Sequence, residues 1–170
     1  VTFSLSEPAT GVSPPETIRA MSGLEFIEGI AAGRLPRPPI SALLDFHIVE
    51  VEAGRVVFAG TPGAEHYNPM GTVHGGYIAT LLDSCMTCAV HTLAEAGQGC
   101  TTLELKVNFT RALPADAGVV RAEGKVIHAG RQIGTAEGRL VDAEGRLFAH
   151  ATTTCMMFKI PESKGPDGGR

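Results

Sequence analysis

A predominantly apolar run over residues 77–93, entered through Gly71-Thr72-Val73-His74-Gly75-Gly76 and interrupted by one carboxylate, Asp83, constrains this chain more than any other stretch. Ile78, Leu81, Leu82, Cys85, Met86, Ala89 and Val90 recur at helical spacing, and apolar residues fill much of what lies between. A helix apolar nearly all round must be buried on most sides, which a strongly curved sheet provides and a flat layer does not. Asp83 cannot stand uncompensated in such surroundings, so it is paired, protonated or open to a cleft. A carboxylate placed in this way is a candidate base or nucleophile. The glycines at the helix start leave backbone N–H groups bare where the helix dipole favours negative charge, which makes a receptor for an oxyanion.

The remaining chain supplies the sheet. Residues 46–51 and 55–60 are β-like, with Glu52-Ala53-Gly54 as the turn of a hairpin. After Gly97-Gln98-Gly99, the segment 101–111 alternates in Leu103, Leu105, Val107 and Phe109, which predicts a long strand with one buried face. Three further strands are expected over 119–128, 131–141 and 147–158, with turns at Ala129-Gly130 and Asp142-Ala143-Glu144-Gly145. A hairpin, one long helix and four more strands, with no repeat and no βαβ alternation, predict an α+β fold in which one antiparallel sheet wraps one central helix.

Upstream of the hairpin, Ser13-Pro14-Pro15-Glu16 reads as a helix start with Ser13 as N-cap. Ile18, Met21, Leu24, Ile27 and Ile30 then step by three towards Gly33, so one extra N-terminal helix is expected. Leu35-Pro36-Arg37-Pro38-Pro39 follows as an extended connector, and a short turn over 40–44 leads into the first strand. The organisation predicted is a tail, helix and connector over 1–40, the main domain over 41–160, and a disordered tail over 161–170. Residues 1–12 read as a loose tail.

Charge and cysteine usage narrow the partners. A formal net charge of −4 without a block of Lys or Arg argues against nucleic acid or an anionic membrane, and favours a small molecule. The N-terminal residues lack a basic or apolar leader and no run is long enough to span a membrane, so a soluble, cytoplasmic protein is expected. Cys85 and Cys88 have the spacing of a zinc or redox pair, but they fall inside the apolar helix and no second pair completes a ligand set. A zinc site joining them to His66 and His74 has no support in the spacing, and neither a metal nor a cofactor is expected.

Asn68-Pro69-Met70-Gly71-Thr72-Val73-His74-Gly75-Gly76, then Leu81-Leu82-Asp83, then Leu105-Lys106-Val107-Asn108-Phe109-Thr110-Arg111 resemble the hotdog-fold thioesterases, and within them the phenylacetate-pathway (PaaI-type) acyl-CoA thioesterases. The resemblance runs over about residues 42–158 and leaves out the N-terminal helix and both tails. It implies that Asp83 is the base or nucleophile and that the Gly75 N–H donates to the thioester carbonyl. It also implies that Asn68 helps to place water, and it matches Thr87 to a hydroxyl one turn after the acid. The family's active sites lie between subunits, which implies a homodimer and, by pairing of dimers, a homotetramer.

The residues themselves are compatible with that chemistry. Thioester hydrolysis needs an oxyanion donor and a group that attacks or activates water; thiolate leaves readily, so no strong general acid is required. His74 reads either as a helix cap or as a direct participant. Thr87 reads either as a site hydroxyl or as a side chain bonded back to the Asp83 carbonyl. Gly76 belongs with Gly75 to the binding turn. For the phosphates of coenzyme A, Arg111 at the end of the alternating strand and Gly130-Arg131 at a strand turn are the candidates. Two rival functions remain at this level: a non-catalytic acyl-CoA binder or regulator, whose mark would be loss of the acid on the helix, and a hotdog acyl-thioester dehydratase. Gly75 and Asp83 sit eight positions apart on one helix, roughly 12 Å at 1.5 Å per residue, so action on one bond implies donor and acid from different chains.

Overall fold

The computed structural model describes residues 9–114 and 116–161. The loose-tail and disordered-tail expectations therefore fall largely outside the described residues. A six-stranded antiparallel sheet is built from β1 (Phe46–Glu52), β2 (Arg55–Gly60), β3 (Gln98–Phe109), β4 (Val120–Ala129), β5 (Ile133–Val141) and β6 (Leu147–Lys159), in the order β1-β2-β4-β5-β6-β3. It curves around one long helix, α4 (Gly75–His91), giving the α+β hotdog architecture that the pattern predicts. Tyr77, Ile78, Leu81, Leu82, Cys85, Met86, Ala89 and Val90 form the buried face of α4. Phe46, Phe148, Leu113, Leu140, Val56 and Val120 close over it from the sheet side, and full burial of each such large side chain is worth about 1.5–3 kcal/mol.

The helix is buried less evenly than its composition suggests. Ala79, Thr80, Asp83, Ser84, Thr87, Cys88 and His91 are only half-buried, and they recur at helical spacing as a second, more polar stripe. Where α4 does touch the sheet, it lies close. Gly124 and Gly138 are register partners on β4 and β5. A Cβ on Gly124 would fall 2.4 Å from the Cys85 carbonyl atoms, and one on Gly138 would fall 2.9 Å from Met86.

Three expectations need correction. The single N-terminal helix is two: α1 (Pro15–Ala20) and α2 (Gly23–Ala31). Ser22 accepts from the Glu25 N–H while the Glu25 carboxylate accepts from the Ser22 N–H, and this capping box starts a new helix in the middle of the apolar stripe. Ser13 is not the cap of α1; Pro14 holds that position without a side-chain bond. The turn over 40–44 is a short helix, α3 (Pro39–Leu43).

The third correction concerns β3. Its register with β6 slips between Thr102 and Glu104, so Leu103 is the extra residue of a bulge. Leu103 is 55% exposed, whereas Leu105 and Val107 pack against the core and Phe109, 53% exposed, reaches the first turn of α4. The strand also ends at Phe109, which leaves Arg111 in an exposed bend beyond it. β3 is an edge strand of 12 residues. No helix among the described residues is long and apolar enough to cross a membrane.

Candidate active site

The loop before α4 is closed by its own side chains. Asn68 Oδ1 accepts from the N–H groups of Met70 (2.9 Å) and Thr72 (3.2 Å), and Asn68 Nδ2 donates to Thr72 Oγ1 (2.8 Å). Gly71, at φ +77°, lets the chain double back. Below this loop the buried His66 accepts from the Gly63 N–H through Nδ1, its carbonyl accepts from the His74 N–H at 2.8 Å, and its ring lies 4.5 Å from that of Tyr77. His66, which has no partner in the sequence pattern, is thus a strut of the loop.

His74 is the N-cap of α4. Its Nδ1 accepts from the Gly76 N–H at 2.8 Å and its carbonyl from the Tyr77 N–H. An accepting Nδ1 fixes the neutral tautomer with its proton on Nε2. A Cβ at Gly76 would come within 2.9 Å of His74 Nδ1, so a side chain there would push the capping imidazole aside. The Gly76 donor is therefore engaged, and among the described residues the Gly75 N–H has no protein acceptor. The half-buried Gly75 lies under the ring of Phe109.

Two turns further along α4, the Asp83 carboxylate is oriented by hydroxyls. Thr102 Oγ1 of β3 donates to Asp83 Oδ1 at 2.8 Å, Thr87 Oγ1 lies 3.3 Å from the same oxygen, and the two threonine hydroxyls are 2.7 Å apart. Thr87 bonds to the carboxylate rather than back to the Asp83 carbonyl. Oδ2 has no protein donor among the described residues. Thr102 escapes a reading by spacing, since only the packing of β3 on α4 brings it to the acid.

Asp83, Ser84, Thr87 and Cys88 form one wall of a cavity of about 260 Å³. Phe58, Ile48 and His47 of the β1–β2 hairpin line it, and the end of α2 with the connector to α3 closes it through Ile30, Gly33, Arg37 and Ser41. Burial, aided by the neighbouring Asp83 carboxylate, pushes the Cys88 thiol up to about 12, which disfavours its thiolate. Burial and the Arg37 charge hold His47 below the usual histidine range, so it stays neutral near neutral pH. The N-terminal segment, which sequence reasoning places outside the main domain, is therefore part of the cavity containing the acid.

The phosphate-binding candidates stand apart from this cavity. Arg111 is exposed in the bend after β3, Gly130 donates to the Ile133 carbonyl at 2.8 Å in the β4–β5 turn, and Arg131 is exposed beside it. None of them lines the cavity containing Asp83. Among the described residues, no group of three His, Cys, Asp or Glu side chains is arranged to hold a metal ion.

An oriented carboxylate in the wall of a largely apolar cavity suits attack on a carbonyl, the helix-start N–H two turns away suits polarising one, and comparison with known proteins leads to the same chemistry. The family model described as the thioesterase superfamily matches residues 70–149, from the loop before α4 to β6. The proofreading thioesterase EntH of Klebsiella pneumoniae is 33% identical over 96 residues, covering 56% of this chain and 69% of that protein. Among solved structures, a thioesterase family protein from Silicibacter pomeroyi aligns with a TM-score of 0.70 and 26% identity, over 78% of this chain and 98% of that one. The PaaI protein of the Escherichia coli phenylacetic acid degradation operon shares the fold at a TM-score of 0.70 and 20% identity, over 81% of this chain and 96% of that one.

Proposed function

The chain belongs to the thioesterase superfamily, and from that premise we propose that it hydrolyses acyl-coenzyme A thioesters to the free acid and coenzyme A, at a site shared between two copies of the chain. The observation that carries this reading is the pair formed by Asp83, whose Oδ1 is held by Thr102, and the Gly75 N–H; among the described residues neither Asp83 Oδ2 nor that N–H has a protein partner. The Gly75 N–H donates to the carbonyl oxygen and stabilises the charge that develops there, an effect of about 3–4 kcal/mol for one such donor. Asp83 Oδ2 takes a proton from the water that attacks the carbonyl carbon, or attacks that carbon itself to form an anhydride that water then hydrolyses; in either case coenzyme A leaves as thiolate. His74 and Asn68 act by fixing the turn that presents Gly75. Arg111 and Arg131, with Gly130 shaping the turn, provide exposed positive charge for the coenzyme A phosphates.

Position along β3 supports the sharing of the site. Within one chain, Asp83 is bonded to Thr102 near the start of the strand, and Gly75 lies under Phe109 at its end. The long β3 edge carries unpaired backbone groups and exposed apolar side chains, which favour strand pairing with a second copy. A two-fold axis near Leu105 and Lys106 sets the Thr102 region of one chain opposite the Phe109 region of the other. The acid of one copy then faces the donor of its partner, twice per dimer. Pairing of such dimers gives a homotetramer.

The test is release of free thiol from a panel of short, long and aryl acyl-CoA esters. Turnover of at least one class at rates far above the uncatalysed reaction is expected. Negligible hydrolysis across the panel would overturn the reading.

A further inference from the structure

Arg37 is the charged residue of a proline-flanked connector and, among the described residues, the only basic Lys or Arg side chain lining the cavity that holds Asp83. It holds its place through one nitrogen: Nη2 donates to the carbonyls of Ser41 at 2.5 Å and Phe46 at 2.9 Å. Its carboxylate neighbour, Asp45, is 3.7 Å away and 67% exposed, so this pair neutralises little of the charge. Among the described residues Nε and Nη1 have no acceptor. The Nε is buried, which leaves Nη1 as the donor that a ligand can reach, on a cation whose charge Asp45 offsets only weakly.

The walls of the cavity divide the work. Asp83, Ser84 and Thr87 come from α4, Ile30, Ile40, Ile48 and Phe58 give the lining its apolar surface, and Arg37 and His47 come from the connector and the hairpin. An acyl group in this cavity with its thioester at Asp83 therefore shares the space with apolar side chains and one cation. Resting on the thioesterase reading above, we propose that Arg37 is a specificity-determining residue and that the preferred substrates are acyl-CoA esters whose acyl chain ends in a carboxylate. With Nη2 engaged by the two carbonyls, Nη1 is the donor left free, and it can give a carboxylate oxygen a single charge-assisted hydrogen bond that a neutral chain end cannot accept. Asp83 enforces the orientation, since it repels the chain's carboxylate from the reacting end. Arg37 lies outside residues 70–149, which the family model matches.

The experiment compares kcat/KM for glutaryl- and adipoyl-CoA with that for pentanoyl- and hexanoyl-CoA, in the wild type, Arg37→Met and Arg37→Lys. A charged hydrogen bond is worth enough to give the wild type a preference of about tenfold or more for the carboxylated esters. Arg37→Met is expected to abolish that preference while retaining turnover of the neutral esters, and Arg37→Lys to restore part of it. Loss of structure in Arg37→Met would lower all four substrates together, so the ratio reports recognition; the wild-type ratio stands as a test even if that variant does not fold. Hydrolysis of neutral esters at equal or higher efficiency by the wild type, or a ratio unmoved in Arg37→Met, would overturn the assignment of Arg37 and leave the thioesterase reading intact. Absence of hydrolysis of every ester would instead overturn that underlying reading.

Discussion

Asp83→Asn is expected to fold normally and to lose a factor of at least ~10² in kcat, with substrate affinity within a few-fold of wild type. The amide keeps the shape of the carboxylate and can still accept from Thr102 Oγ1, whose bond to Asp83 Oδ1 is 2.8 Å. It cannot take a proton from water or attack a carbonyl, and a hundredfold loss corresponds to about 2.7 kcal/mol of transition-state stabilisation. The measurement is steady-state thiol release, with circular dichroism to establish folding. Turnover within a few-fold of wild type would remove Asp83 from the chemistry. Thr102 is a positioning residue in this account, acting through the carboxylate that it orients.

Gly124→Ala is expected to be the most destabilising single-methyl change in the sheet. Its Cβ would fall 2.4 Å from the Cys85 carbonyl carbon and oxygen and 2.5 Å from the Met86 amide nitrogen. These are backbone atoms of a helix, so no side-chain rotation relieves the contact and α4 must lift from β4. Overpacking of this kind costs roughly 3 kcal/mol, which lowers Tm by about 6–12 °C in a chain of this size. Because Asp83 precedes the displaced turn, activity should fall as well. Gly11→Ala is the control, since its Cβ would meet nothing nearer than 3.5 Å, at Pro36. An unchanged Tm for Gly124→Ala would mean that α4 is not seated on β4 as described.

The two glycine contacts beneath α4 also show what sequence patterning can and cannot carry. The hairpin, the long helix and the four later strands are legible because burial on one face imposes a period, and that period survives in the residues. Position 124 has no such signature: it depends on which strand passes under which helical turn. The same holds for Thr102, one strand away from Asp83 in space and nineteen positions along the chain. At Leu103 the alternation itself misleads, because a bulge reverses the facing of the strand without changing its apolar spacing. The break before α2 was readable, since Ser22-Gly23-Leu24-Glu25 is a capping box, but the stripe from Ile18 to Ile30 runs straight through it. Asn68, His74, Gly75 and Asp83 stand out in the sequence as candidates. The structure adds their division of labour within one chain: Asn68 and His74 hold the turn, and Gly75 keeps its donor free. Arg37 was hidden in a connector whose prolines say only that the chain is extended.

The separation of Gly75 from Asp83 along α4 makes the shared site the central claim. Its most direct test mixes two inactive variants. One is Asp83→Asn, which keeps the donor turn; the other is the double change Asn68→Ala with His74→Ala, which removes the loop closure and the cap while keeping the acid. Co-refolding at equal concentrations gives about half mixed dimers, each with one complete site and one site lacking both parts. The account predicts recovery of about one quarter of wild-type thioester hydrolysis, from two preparations that are each inactive. No recovery in a sample whose mixed dimers are confirmed by differently tagged chains would contradict it, and would place donor and acid within a single chain.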